Sequence, residues 1–217
     1  NPSKDARGRL RKYLQPNDSQ PRLYVPPGAR QAVEEPGVRL LITEGEKKAL
    51  KATQEGFAAV SISGVEGWHR KKSVSPIPDL QHMHWQKRDV FIVFDSDAVE
   101  KVGVKSNEEL LASVLANYGA TVKVVRLPAG AAGEKVGLDD YLVANGTEAF
   151  NRLLAEAEEP TKPTPDELKL SAGELDPATV AETILDSTKR DGVRCLVYWR
   201  GSLHWWKNGA YRELESS

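Results

Sequence analysis

A single cysteine, Cys195, stands among 217 residues, so the chain cannot build a disulfide framework or a cysteine-based zinc site. That scarcity fits a reducing, cytosol-type compartment. Charge of one sign is lacking too. Thirty Lys plus Arg face 31 Asp plus Glu, for a net charge of -1 and a pI near 6.5, so no whole-molecule basic field grips nucleic acid and such binding must come from local patches. No apolar run approaches the roughly 18 residues of a membrane span, and Asn1-Pro2-Ser3-Lys4-Asp5 has no signal-peptide core. A membrane partner is therefore not expected, and the cytoplasm is the expected location. No internal repeat is visible. The length suits one full domain with an added piece, and a first residue other than Met suggests a fragment of a longer protein.

Residues 1–37 carry Pro16, Pro21, Pro26, Pro27 and Pro36 with little hydrophobic periodicity. Proline removes backbone donors and disfavours helix in the residue before it, so an extended arm laid on the domain is predicted. Its cluster of Lys4, Arg7, Arg9, Arg11 and Lys12 can touch phosphates or simply be solvated. An apolar, non-alternating run then predicts a strand covered on both faces at Val38 to Thr43, and further strands are predicted at Phe57 to Ser63, Val90 to Phe94 and Thr121 to Leu127. Helices are predicted over Gly45 to Glu55, Asn107 to Asn117 and Thr147 to Glu158, with a short one opening at Gly137-Leu138-Asp139-Asp140. The order predicts an α/β fold: an open, mostly parallel sheet of about four strands flanked by helices. Residues 69–88 read as a surface insertion with a short helix at its end.

Pro160-Thr161-Lys162-Pro163-Thr164-Pro165 lies in the expected linker, residues 159–172. Beyond it, residues 173–217 read as a small α+β segment, with a helix from Asp176-Pro177 and strands at Val193 to Trp199, Ser202 to Lys207 and Ala210 to Leu214. Trp199, Trp205, Trp206, Tyr198 and Tyr211 make this segment aromatic. Such rings either pack within a small sheet or stack on bases.

The chemistry concentrates where strands end in acids. Leu40-Leu41-Ile42-Thr43 runs into Glu44, and Val90-Phe91-Ile92-Val93-Phe94 runs into Asp95-Ser96-Asp97. Ligands of open α/β sheets bind beyond the carboxyl ends of the strands, so the two segments converge if their strands are neighbours. Mg²⁺ takes a few carboxylates plus waters and substrate phosphates, and such ions activate an attacking oxygen and stabilise a leaving one. Glu44, Asp95 and Asp97 are thus candidate ligands for Mg²⁺ (or Mn²⁺) at a phosphoryl-transfer site, although acids after strands also serve as helix caps. Around them, Lys47, Lys48, Arg70, Lys71 and Lys72 can reach phosphates, and Gly64 can let a backbone amide approach one. Glu46, Asp139 and Asp140 are candidate accessory acids, each equally suited to the first turn of a helix. The loop Pro128 to Gly133 lacks the Lys-Ser/Thr ending of a P-loop and the spacing of a dinucleotide fingerprint.

Thr43-Glu44-Gly45-Glu46-Lys47-Lys48-Ala49 and Phe94-Asp95-Ser96-Asp97 resemble the two signature motifs of the Toprim domain of bacterial-type primases, topoisomerases, recombination mediators and some nucleases. With Ser63-Gly64-Val65-Glu66-Gly67-Trp68 and Gly137-Leu138-Asp139-Asp140-Tyr141-Leu142, the match narrows to the Toprim-like region, once a domain of unknown function, of phage and plasmid primase-helicase replication proteins. The resemblance covers about residues 10–155. It implies an N-terminal arm (1–30), a Rossmann-like Toprim domain (31–158), the linker, and the start of a second domain. It makes Glu44 a general acid/base or metal ligand and Asp95 and Asp97 metal ligands. Metal-dependent nucleotidyl transfer, primer synthesis, is the implied reaction. Single-stranded DNA template, nucleoside triphosphates and a helicase domain or replication partner are the implied partners, in bacterial or phage-infected host cytoplasm. A Toprim nuclease and a non-catalytic nucleic-acid or partner-binding module are the rivals. The chain is too short for the tyrosine-bearing and gate domains of a topoisomerase.

Overall fold

Four apolar runs line up as one parallel sheet in the computed structural model, which describes residues 19–70, 75–98, 101–161, 189–190, 193–199, 202–207 and 209–213. The strands are β1 (Leu40–Glu44), β2 (Ala59–Ile62), β3 (Asp89–Val93) and β4 (Thr121–Val125), and they lie in the order β2-β1-β3-β4. Around them stand α1 (Arg30–Glu34), α2 (Glu46–Gln54), α3 (Pro78–Gln81), α4 (Val102–Asn117) and α5 (Leu138–Ala155). The chain steps from β1 out to β2 on one side and then crosses to β3 on the other. The carboxyl edge between β1 and β3 is therefore the point where strand order reverses, and there an open sheet leaves a crevice for ligand.

Burial on both faces explains the uninterrupted apolar runs. Leu40, Ile42, Val60, Ile62, Val90 and Ile92 turn to one side, against Leu111, Ala112 and Leu115 of α4. Leu41, Ala59, Phe91, Val93 and Val125 turn to the other, against Ala49 and Ala52 of α2 and Leu138, Tyr141, Phe150 and Leu154 of α5. Small residues on α2 let that helix sit close to the sheet. Truncating an aromatic such as Phe150, which is fully buried, costs about 3–5 kcal/mol.

Residues 69–88 correct the expectation of a surface insertion. Ile77, Leu80 and Trp85 are buried and join Trp68 in the core beside α4. The segment's described residues pack on the α4 face of the sheet, and the helical turn among them, α3, sits mid-way rather than at the end. Arg88 closes the segment. Its fully buried guanidinium donates to the carbonyls of Val38 (3.0 Å), Val33 (2.7 Å) and Ala32 (2.7 Å), tying α1 to the approach to β1.

Both edges of the sheet are covered by single bridges. Tyr24 pairs with Ser61 beside β2, and Glu158 with Val124 beside β4. Each bridge pairs the backbone of one residue on its edge strand. The described residues before α1 lie along the domain, anchored by Arg22 on Asp79 at 2.7 and 2.9 Å. The basic cluster of the arm falls outside the described residues. Two further differences concern helices. The α4 helix starts five residues before Asn107, despite Gly103, and the two predicted C-terminal helices form one element broken at Gly146, whose φ is 74°.

Residues 162–188, with most of the linker and the helix expected after it, lie outside the described residues. Beyond them, β5 (Lys189–Arg190) pairs with β6 (Val193–Arg194), and β7 (Leu196–Trp199), β8 (Ser202–Lys207) and β9 (Ala210–Glu213) form an antiparallel sheet. The run Val193 to Trp199 is therefore two strands broken at Cys195. Within the small sheet Trp206 meets Tyr211 edge to face at 4.9 Å. No described helix is long and apolar enough to cross a membrane.

Candidate active site

Register sets the site. Thr43 lies level with Val93, so Glu44 leaves β1 beside the point where Phe94 and Asp95 leave β3. Gly45 follows with φ 89°, a left-handed conformation that glycine adopts without strain, and its amide donates to Ile62 O. The turn starts α2 directly behind the carboxylate of Glu44. Lys48, in the first turn of that helix, reaches back to Asp95, with Nζ 2.6 Å from Oδ1.

Asp95 is almost wholly buried. Its second oxygen, Oδ2, faces Lys135 Nζ at 2.5 Å. Both contacts are close ion pairs, and together they neutralise the buried carboxylate. Asp97 lies one short 3₁₀ turn (Ser96–Ala98) further on, with Oδ2 2.5 Å from Lys101 Nζ and Oδ1 3.8 Å from Lys135 Nζ. Burial pushes the Asp97 carboxyl up, but the hydrogen bond from Lys101 and the charges of Lys135 and Lys101 outweigh it and hold the group below the usual carboxylate range. Lys135 shows the converse: burial pulls its ammonium down, while Asp95, then Asp97 and Glu44, raise it above the ordinary lysine value. All three acids therefore act on one ammonium.

Ser96 and a glycine place that ammonium. The Ser96 amide donates to Val136 O at 3.0 Å, and the Val136 amide donates back to Ser96 Oγ at 2.9 Å, pinning residues 135–137 to the Asp-Ser-Asp turn. Gly137 then passes so close that a Cβ there would stand 2.8 Å from Lys48 Cε and from Asp139 Oδ1, and 3.4 Å from Asp95 Oδ1. The start of α5 thus belongs to the same edge. Gly137 itself is the N-cap residue, and no side chain caps the helix, so Asp139 is a neighbour of the acidic cluster rather than the cap.

The structure brings together Glu44, Lys48, Asp95, Asp97 and Asp139. Gly64, with its amide on Ile62 O like that of Gly45, lies on the adjoining turn. Glu46, Lys47 and Asp140 are exposed on their helices, and Arg70 is exposed on the loop after Trp68, its amide bonded to Ser75 O. Lys71 and Lys72 fall outside the described residues. Lys135 and Lys101 did not stand out in the sequence. The first hides in a glycine-rich loop, and only its spacing, two residues before the Gly-Leu-Asp-Asp helix start, hints at the site. Among the described residues no three His, Cys, Asp or Glu side chains are grouped closely enough to share an ion; three ammonium groups stand among the acids instead.

A family model described as a domain of unknown function, DUF3854, matches residues 30–149. The chain belongs to that family. The DUF3854 region runs from α1 into α5 and contains every acid and lysine of the cluster. No curated protein matches the chain. Two solved structures are similar: the DnaG catalytic core, and a DnaG primase catalytic domain bound to ssDNA. Each has 19% identity and a TM-score of 0.49; the matches cover 86% and 87% of this chain and 68% of each of those chains.

Proposed function

We propose that the crevice between β1 and β3 is a divalent-cation site for nucleotidyl transfer, and that this chain is the primer-synthesising Toprim part of a mobile-element primase-helicase replication protein. One observation carries the reading. A buried carboxylate, Asp95, stands at the strand-order reversal between Glu44 and Asp97, with its two oxygens neutralised by the ammonium groups of Lys48 and Lys135 at 2.6 and 2.5 Å. A buried carboxylate needs a cation beside it, and oxygens that hold ammonium groups here suit a hard metal ion as well.

The donor set fits Mg²⁺ or Mn²⁺ in kind, since hard ions take carboxylate oxygens. Glu44, Asp95 and Asp97 would have to draw together, with Lys135 displaced, to hold the ion, which when bound neutralises phosphate charge and favours attack by a hydroxyl. The other work belongs to the chain. Glu44, at the half-buried mouth, is placed to hold a proton of the attacking hydroxyl. Lys48 keeps Asp95 in position, and Lys101 and Lys135 offer ammonium groups to the phosphates of a nucleoside triphosphate. Catalysis then rests on positioning and electrostatics. Single-stranded DNA template and a helicase partner belong to this proposal. Pairing of the acids by lysines favours a second reading, a module that binds nucleic acid or a partner without turnover.

The test incubates the chain with Mg²⁺ or Mn²⁺, labelled nucleoside triphosphates and single-stranded or supercoiled DNA, beside Glu44→Gln and Asp95→Asn. New oligonucleotides lost in both variants are expected. Nicking lost in both identifies a nuclease, and DNA binding without either product identifies the non-catalytic module.

A further inference from the structure

The two ammonium groups on Asp95 are held differently. Lys48 comes from a helix, is mostly buried, and packs against Gly137, which leaves no room for a side chain between them. Lys135 is half exposed. Its backbone is fixed by the paired Ser96–Val136 hydrogen bonds, by the Gly130 amide on Glu134 O, and by the Ala132 amide on the Glu134 carboxylate. What can move is its four-carbon side chain, and the way out is toward solvent.

Lys135 Nζ also occupies a particular position. It touches Asp95 Oδ2 at 2.5 Å and lies 3.8 Å from Asp97 Oδ1. A divalent ion held by Asp95 and Asp97 would compete for the volume that the ammonium fills. The geometry points to Lys135 as a built-in counter-ion that holds the cation position and must swing outward before a divalent ion can bind. This inference rests on the proposed cation site and adds what sets its affinity. Lys135 keeps the buried carboxylate neutralised without metal and weakens the resting affinity for metal. Lys48 stays in place and continues to orient Asp95.

Binding of Mn²⁺ alone, without DNA or nucleotide, tests the idea on the full chain by calorimetric titration and by the loss of free-Mn²⁺ paramagnetic resonance. Lys135→Gln should tighten binding about tenfold, equivalent to ~1.4 kcal/mol, because the ion no longer displaces a charge-assisted contact. Lys135→Arg, which keeps the charge, should stay close to wild type. Lys87→Gln, just before β3 at the opposite edge of the sheet, controls for bulk charge and should change nothing. If wild type binds Mn²⁺ and Lys135→Gln binds it no more tightly, the counter-ion role is refuted while the cation site stands. An equal gain in Lys87→Gln refutes the role as well, since it reduces the effect to net charge. Absence of Mn²⁺ binding in every variant overturns both this role and the site on which it rests.

Discussion

Replacing Asp95 by Asn should destabilise the metal-free protein, and the sign of that change is informative. An acidic cluster without counter-ions is strained by mutual repulsion, so neutralising one member relieves it and raises Tm. Here the repulsion is already answered. Asp95 is almost fully buried between two ammonium groups at 2.6 and 2.5 Å. At an effective dielectric near 20, each contact carries a gross attraction of roughly 6 kcal/mol, offset by the desolvation of both ions. Deleting only the carboxylate charge leaves Lys48, itself largely buried, beside Lys135 with a neutral amide between them. Removing one partner of a buried pair costs about 3–5 kcal/mol. Lys135 is half exposed and regains water, and the Asn oxygen still accepts one contact, so about 2 kcal/mol is expected. For a protein of this size that lowers Tm by roughly 4–8 °C. Thermal unfolding in EDTA, followed by circular dichroism, is the assay. An unchanged or higher Tm would show that Asp95 is not neutralised by Lys48 and Lys135 and would refute the electrostatic account of the site.

Two further outcomes follow from contacts away from the acids. Arg88→Met strands three carbonyls that now accept from a buried guanidinium; a loss of about 3 kcal/mol is expected, read as a lower urea midpoint with an unchanged slope. The arm should detach in acid. Burial raises the Asp79 carboxyl, but hydrogen bonds from Arg22 and the Leu23 amide and the charges of Arg22 and His82 outweigh it and depress it. Its contribution is therefore present above the unfolded carboxylate value near 4 and is lost as pH falls through the lower folded value. Limited acid proteolysis should cut residues 19–29 below that point in wild type, and already at neutral pH in Asp79→Ala.

Much of this arrangement was legible in the sequence because parallel strands covered on both faces need continuous apolar runs, and Leu40 to Thr43 and Val90 to Phe94 supply them. Their acids had to fall at the carboxyl edge. That β1 and β3 are neighbours was not legible, since the choice between β2 and β3 is a long-range pairing that local patterning does not encode. The segment 69–88 misled for a related reason. Ile77, Leu80 and Trp85 follow no single period, and the prolines and basic residues around them mimic a solvated loop. Glu108 and Glu109 in α4 look like ordinary surface acids, yet both are buried, with Arg126 on the first and Lys105 and Thr161 on the second. Lys135 was hidden because its role depends on two hydrogen bonds to Ser96, a residue whose value lies in holding a loop rather than in chemistry.

Anomalous diffraction from crystals soaked in Mn²⁺ shows whether Glu44, Asp95 and Asp97 form one divalent-cation site at the β1–β3 edge. A peak is expected at about 2.1–2.2 Å from carboxylate oxygens of Asp95 and of at least one of Glu44 and Asp97, with the Lys135 side chain turned toward solvent. Soaked crystals with no peak there, and with Lys135 still on Asp95, would refute that site.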